Sequence, residues 1–377
     1  MRTLCPNKSV CGSCTLSDLP YQDQLNYKLN EINNFIKNKD LGITKIKKII
    51  PSPQTDHYRN RMDYAISYRG EVGLKQKGKW WKIIDGHTCF IADSQIEKMF
   101  FTFRDWVKAS DLSFYDRRSH LGLLRYVSIR STTLGETMVT VVTNPPMDKK
   151  EENKFLQKIN ELKNKSKVTS LIWGINSSLA DTSTSEKIIP ITKRDHIIEN
   201  INSHTYKITP NSFFQTNPYA AKILQDHVNT YVKEQKNNTL LDLYCGSGFF
   251  TIGAGQYAKN LIGVETIQEA VDDANWNKKQ NNITNINFLH NKSEEINLNK
   301  TKADIIIVDP PRTGLTKNLI DNLMKTDIRQ IIYISCNYQK FADDAYLLSQ
   351  KYKMKEIRAI DMFPHTPHVE IVSLFTN

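Results

Sequence analysis

The first residue in this sequence placed to do chemistry is a cysteine at the end of an apolar run. The stretch IIYISCNYQKF reads as a buried strand, Ile331 to Ser335, closed by Cys336. A lone thiol of this kind is more often inert packing than a nucleophile. Two neighbours change that balance. The stretch IIIVDPPRTGL ends a strand in Asp309, and Pro310 and Pro311 stiffen its exit and remove two backbone donors. In FPHTPHVEIVSLF an acid, Glu370, interrupts the last apolar run close behind His365 and His368. An ionised thiol is a nucleophile, and a carboxylate or imidazole beside it is a proton acceptor.

The elements that must position these groups alternate strand and helix from about Ile201 onward: TLLDLYCGSGFFTIGAGQYA, NLIGVET, INFLH, ADIIIVDPP, IIYISCN, KEIRAIDMF and HVEIVSLF. The pattern predicts an open α/β sheet of seven strands, the last antiparallel, with ligand sites at the strand C-terminal ends. The loop DLYCGSGFF follows one strand and opens a helix, where glycines let backbone amides approach a ligand. It lacks the third glycine of a dinucleotide fingerprint, which leaves NAD as the weaker reading. Further on, LIGVET ends its strand in Glu265, an acid placed to accept from ribose hydroxyls. Strand, D-x-x-C-G-x-G, strand and acid together look like the S-adenosylmethionine site of a Rossmann-type methyltransferase. Cys245 within the loop reads as a small buried residue. Arg312 stands where the comparable turn of amino-methyltransferases ends in an aromatic, which argues against exocyclic-nitrogen methylation. A thiol beside a methyl donor instead suits carbon 5 of uracil, which becomes nucleophilic once a thiolate adds at carbon 6.

Upstream, Leu25, Leu29, Ile32 and Ile36 recur at helical spacing and predict a helix over Tyr21 to Lys37. From about Arg59 short alternating segments broken by Arg-Gly and Leu-Gly turns predict an antiparallel β-rich domain with helical insertions. The expected division is 1–55, a cysteine segment and helix; 56–200, the β-rich domain; and 201–377, the α/β domain. Cys5, Cys11 and Cys14 form C-x5-C-G-x-C, and Cys89 is the only further cysteine before the α/β half. Four thiolates suit either zinc or an iron-sulfur cluster, and the spacing leaves both open. No run approaches the length of a membrane helix and no leader pattern opens the chain, so a cytoplasmic, membrane-free protein is expected. With 51 Lys and Arg against 40 Asp and Glu, the net charge of +11 suits a nucleic-acid partner, although lysine runs are often only solvated faces. Candidate RNA contacts are Tyr58, Arg59 and Arg61, with Arg117, Arg118, Arg125 and Arg130; ordinary strand faces explain each equally well.

The motifs FFQTN, DLYCGSG, GVE, DPPR, SCN and MFPHTPHVE, in this order, resemble the bacterial RNA uracil-5-methyltransferase family over about the last 170 residues. The resemblance implies Cys336 as nucleophile, Glu370 as proton acceptor, and Gln215, Tyr244, Glu265 and Asp309 around S-adenosylmethionine and the target base. Phe249 departs from the Asn of some members and is left out of that set. The ribosomal members carry a 4Fe-4S cluster on matching cysteines, which tips the metal expectation from zinc to that cluster on Cys5, Cys11, Cys14 and Cys89. They also imply 23S rRNA as partner, with uridine 747 preferred because the chain starts almost at its cysteines. Other 23S positions, dual specificity and tRNA follow in that order. No protein partner is implied. The competing classes are a non-catalytic RNA-binding metal protein and an S-adenosylmethionine-dependent enzyme acting on a small molecule.

Overall fold

The computed structural model describes residues 5–377 apart from 38, 40, 42–44, 88 and 234–237. Residues 1–4, read above for a leader, lie outside the described residues. The chain forms two compact units. One comprises Met1–Asp18, Thr55–Glu199 and Ile208–Asn211, the other Leu19–Gln54, Asn200–Lys207 and Ser212–Asn377. In chain order the strands are β1 (Ile49–Ile50), β2 (Arg61–Ile66), β3 (Val72–Gln76), β4 (Lys79–Asp85), β5 (Leu124–Ser131), β6 (Thr137–Thr143), β7 (Ser170–Ile175) and β8 (Lys187–Pro190). There follow β9 (Ile197–Ile201), β10 (His204–Ile208), β11 (Thr239–Leu243), β12 (Asn260–Glu265), β13 (Ile286–His290), β14 (Ile305–Val308), β15 (Gln330–Ser335), β16 (Lys353–Ile360) and β17 (Glu370–Thr376).

The larger unit is built on a sheet of order β1-β16-β17-β15-β14-β11-β12-β13. Its inner strands are largely apolar because both faces are covered: every residue of β14, Ile-Ile-Ile-Val, is fully buried. Leu25, Ile32 and Ile36 of the helix Tyr21–Lys37 share one core with Leu319 and Leu323 of Lys317–Lys325 and Phe341 and Leu348 of Tyr338–Leu348. Each such side chain contributes about 1.5–3 kcal/mol on burial. The seven strands expected are β11 to β17. The eighth, β1, pairs parallel with β16 from far upstream, a long-range partner that two residues cannot announce in sequence. β17 runs antiparallel to both neighbours. That reversal brings its first residue to the edge where the parallel strands end.

The segment entering β17 is fixed from the helix Tyr21–Lys37. Lys28 Nζ lies 2.6 Å from Asp361 Oδ1, both side chains fully buried, and the Tyr21 hydroxyl donates to Asp361 Oδ2 at 2.9 Å. Losing one member of such a pair leaves an uncompensated charge, at a cost of about 3–5 kcal/mol. Gln24 Oε1 accepts from the His365 amide at 2.8 Å, and its Nε2 stands 3.0 Å from His365 Nδ1.

The other unit carries a sheet of order β4-β3-β2-β5-β6-β7-β8. All pairs are antiparallel as expected except β6 and β7, which are parallel. Parallel neighbours need a crossover, and the helix Lys149–Lys165 supplies it, capped by Asp148 accepting from the Glu151 amide at 2.8 Å. β5 and β6 are buried along their whole length, whereas the edge strand β4 exposes Lys79, Trp80, Trp81 and Lys82.

Candidate active site

Three strand ends of the larger unit meet at one edge. Cys336 follows β15 directly, and Glu370 opens β17. Ser335 pairs with Ile371 across the antiparallel ladder, so Cys336 and Glu370 occupy its next step. Asp309 follows β14 on the other side of β15, where Val308 pairs with Tyr333. The residues around Cys336 explain why the strand stops there. Asn337 caps the helix Tyr338–Leu348 by accepting from the amides of Gln339 and Lys340. Its Nδ2 donates to the Arg312 carbonyl at 3.0 Å, which ties the thiol-bearing turn to the DPPR turn. The Ser335 hydroxyl donates to the Asn337 carbonyl at 3.1 Å. Cys336 is thus held between a strand end and a capped helix N-terminus, an electropositive place for a thiolate.

The charges of the site oppose one another. Burial pushes the Cys336 thiol up to about 11, the Glu370 and Asp309 carboxylates add to that shift, and Arg312 acts against it. Burial also holds Glu370, 5% exposed, well above the usual carboxylate range, reinforced by Asp309 and opposed by Arg312. Asp309 is pushed up to about 7 by burial and by Asp242. The resting thiol is therefore protonated at neutral pH, and Arg312 is the cation that acts against this shift. Sequence reasoning missed that role, because Arg312 stood out only for not being aromatic. His365, the other base considered, is fully buried and engaged by Gln24, which gives it a structural role. His368 is exposed and packs edge-on against Phe363.

Beside these groups lies the glycine loop. Gly246 has φ +54°, and a Cβ there would meet nothing within 4 Å, so open space flanks its backbone. Gly248, at φ +84°, has no such room, because a Cβ would come within 2.8 Å of Phe288 Cζ. Glu265 Oε2 accepts from the Gly246 amide at 3.0 Å, while Oε1 accepts from the amides of Thr266 at 2.7 Å and Ile267 at 3.0 Å. Its carboxylate anchors the loop to β12 before any ribose arrives. The Tyr244 hydroxyl donates to Glu294 Oε1 at 2.8 Å. Gln215, Tyr244, Gly246 and Asp309 share a narrow cleft of about 30 Å³ with Phe213 and Phe214. Asp242 lies buried in β11; its Oδ2 accepts from the Thr251 hydroxyl at 2.5 Å and its Oδ1 has no partner. Burial pushes its carboxyl up to about 7. Cys245 is buried, in keeping with a packing role.

In the other unit Cys5, Cys11, Cys14 and Cys89 line one cavity of about 180 Å³ with His87 and Arg59. Cys5 Sγ lies 3.9 Å from His87 Nε2. Burial and the charges of the other three thiols push Cys14 up to about 12. Among the described residues, no group of three or more His, Cys, Asp or Glu is arranged to hold a metal ion. Of the basic and aromatic residues considered for RNA, Tyr58 is 1% exposed and cannot stack on a base, Arg125 and Arg130 are buried, and Arg61 pairs with Asp63.

The model of a family described as tRNA (uracil-5-)-methyltransferase matches residues 20–377. The chain belongs to this family. A protein of Caldanaerobacter subterraneus named as an RNA methyltransferase is 33% identical over 381 residues, covering 98% of this chain and 84% of that protein. The tRNA (uracil(54)-C(5))-methyltransferase of Pyrococcus horikoshii is 34% identical over 368 residues, covering 96% and 83%. The crystal structure of the Pyrococcus abyssi tRNA (uracil-54, C5)-methyltransferase in complex with S-adenosyl-L-homocysteine superimposes with a TM-score of 0.79 at 31% identity, covering 96% of this chain and 85% of that one.

The protein is thus an S-adenosylmethionine-dependent RNA (uracil-5-)-methyltransferase. The cleft of the methyltransferase fits the cofactor's chemistry: aromatic walls, the Gln215 amide, a backbone-open glycine and the Asp309 carboxyl. No described helix of the methyltransferase is long and apolar enough to cross a membrane.

Proposed function

We propose that Cys336 and Glu370 carry uracil methylation, with Arg312 setting the state of the thiol. The observation that carries this reading is electrostatic and geometric at once: Cys336, Glu370, Asp309 and Arg312 act on one another at a single sheet edge beside the glycine loop. Bound S-adenosylmethionine supplies an electrophilic methyl group on a sulfonium. Gln215, Tyr244, Glu265 and Asp309 hold it and the base. Cys336 adds as a thiolate to uracil carbon 6, forming the S–C6 bond and moving the C5–C6 electron pair into an enolate. Carbon 5 takes the methyl group as the methyl–sulfonium bond breaks, leaving S-adenosylhomocysteine and consuming the enolate charge. Glu370 then removes the carbon 5 proton, the C5–C6 double bond returns, and the S–C6 bond breaks. A buried carboxylate with a raised pKa is a stronger base than a solvated one, which suits this proton transfer.

Cys5, Cys11, Cys14 and Cys89 are the ligands proposed for a 4Fe-4S cluster, with zinc as the alternative, although as placed they are not drawn together to hold a metal ion. Four thiols around one cavity, rather than spacing alone, support this. The cluster would staple the cysteine segment to the sheet of its own unit. The RNA proposed as substrate, in the cytoplasm, is 23S rRNA with uridine 747 as the preferred site, resting on the family motifs and the cysteine set. A second reading is uridine 54 of tRNA, favoured by the names of the two Pyrococcus relatives. Methyl transfer to tRNA transcripts and to 23S rRNA fragments, followed by mass mapping of 5-methyluridine, decides between them. Product at the 23S position supports the first reading; product in tRNA alone overturns it in favour of the second.

A further inference from the structure

The unit that carries the cysteines also carries a pocket that neither methyl transfer nor a cluster uses. Trp80, Tyr115, Arg117, Arg125, Leu179 and Asp181 line a cavity of about 310 Å³, the lower end of the range for small-molecule sites. Arg125 belongs to its wall but is 1% exposed, a closed part of the floor. Its guanidinium lies 4.4 Å from the centroid of the Tyr115 ring. Nη1 donates to the carbonyls of Asn176 at 2.7 Å and Ser178 at 2.9 Å, and Nη2 to that of Ala180 at 2.8 Å. Arg117 is differently placed. Its Nε donates to Asp181 Oδ1 at 2.7 Å and its Nη1 to the Ile66 carbonyl at 2.9 Å, while its Nη2 is buried with no hydrogen-bond partner. Asp181 Oδ1 also accepts from Tyr126, and Oδ2 accepts from Lys75 at 2.5 Å. The polar group of the pocket with capacity left is the Asp181 carboxylate, whose side chain is 26% exposed and whose Oδ2 can accept once more.

Two further observations concern its mouth. Trp80 is 50% exposed on the edge strand β4 and Leu179 is 70% exposed, so large apolar groups stand in water at the entrance. Around Trp80 the chain exposes Lys77, Lys79 and Lys82. A ligand with a flat aromatic part, an edge bearing an N–H, and a negative charge outside matches these features. Every RNA base has such a face and such an edge, and its phosphates supply the charge.

We propose that this pocket binds one unstacked nucleotide of the substrate RNA, separate from the uridine that is methylated, with the base stacked on Trp80 and an N–H of its edge donated to Asp181 Oδ2. The inference deepens the reading of RNA as substrate and rests on it. Holding a second base out of its stack anchors the RNA on this unit and makes affinity depend on unpaired sequence around the target.

The test measures equilibrium binding of the full chain to its methylated RNA by filter retention, which needs no catalytic activity. Trp80→Ala removes an exposed ring from an edge strand and should raise the Kd about threefold or more, the low end for loss of one base stack. Leu179→Glu should do the same by placing a negative charge at the mouth. Met147→Glu, at a residue 73% exposed in the same unit, should leave the Kd at the parental value. Single-turnover methyl transfer at saturating RNA should be unchanged in all three. A Kd raised less than threefold by both Trp80→Ala and Leu179→Glu overturns the proposal, as does an equal rise with Met147→Glu, which would make the effect general electrostatics. A parent that binds RNA but transfers no methyl group would sink the catalytic reading and leave this comparison intact.

Discussion

Replacing Glu370 with Gln should make Cys336 more reactive and the enzyme slower, two effects of opposite sign from one substitution. The sign follows from the causes acting on the thiol. The Glu370 carboxylate holds the Cys336 pKa up, so removing its charge lowers that pKa and increases the thiolate present at a fixed pH. With a thiol at about 11, roughly one site in a hundred is ionised at pH 9, against about half for an ordinary cysteine at 9.0. Burial is the largest cause and remains after the substitution, so only part of that range is released. Half a pKa unit gives a rise of roughly threefold. Arg312→Gln acts the other way, raising the pKa and slowing alkylation by roughly twofold, an effect that added salt should erode because the guanidinium is exposed. The assay is the rate of iodoacetamide labelling of Cys336, followed by peptide mass spectrometry between pH 7 and 10, with the difference between parent and Glu370→Gln growing as the carboxylate ionises. Methyl transfer by Glu370→Gln should fall by roughly 10²–10⁴, the range for a lost general base, while an RNA–protein adduct accumulates because elimination stalls. Labelling of Glu370→Gln that is unchanged or slower at pH 9 would refute the reasoning, since it would mean that the carboxylate does not act on the thiol.

Two further outcomes are expected. Gly248→Ala places a Cβ 2.8 Å from Phe288 Cζ at a φ of +84°, and should cost about 1–3 kcal/mol and weaken S-adenosylmethionine binding, read by thermal denaturation and calorimetry; parental values for both would show that the loop tolerates the strain. Cys89→Ser should abolish visible absorbance in anaerobically purified protein, with iron and not zinc lost on metal analysis; an unchanged brown protein contradicts its place as a ligand.

The local parts of this fold were legible in the chain. The helical spacing of Leu25, Leu29, Ile32 and Ile36 predicted the helix Tyr21–Lys37, and the apolar run before Cys336 predicted β15 to within one residue of its start. Alternating strand and helix predicted the sheet and its antiparallel last strand, because continuous apolar runs and Gly or Pro breaks are local signals. What escaped depends on long-range partners. The β1 strand exists only through β16, and the parallel pairing of β6 with β7 depends on how a crossover helix packs. At the site, residue types and strand ends pointed to Cys336, Asp309 and Glu370. The influence of Arg312 on the thiol, and the burial of His365 against Gln24, appear only when separate segments meet. Tyr58 was misleading for the same reason: an aromatic among arginines suggests base stacking, yet its ring lies in the core.

The most direct measurement of the central claim is covalent trapping. RNA carrying 5-fluorouridine at the target has no carbon 5 proton to lose, so after methyl transfer the S–C6 bond cannot be broken by elimination. With S-adenosylmethionine present, the parent enzyme should form a denaturation-resistant adduct whose modified peptide contains Cys336, and Cys336→Ala should form none. An adduct formed by Cys336→Ala, or one mapped to another residue, would contradict the account.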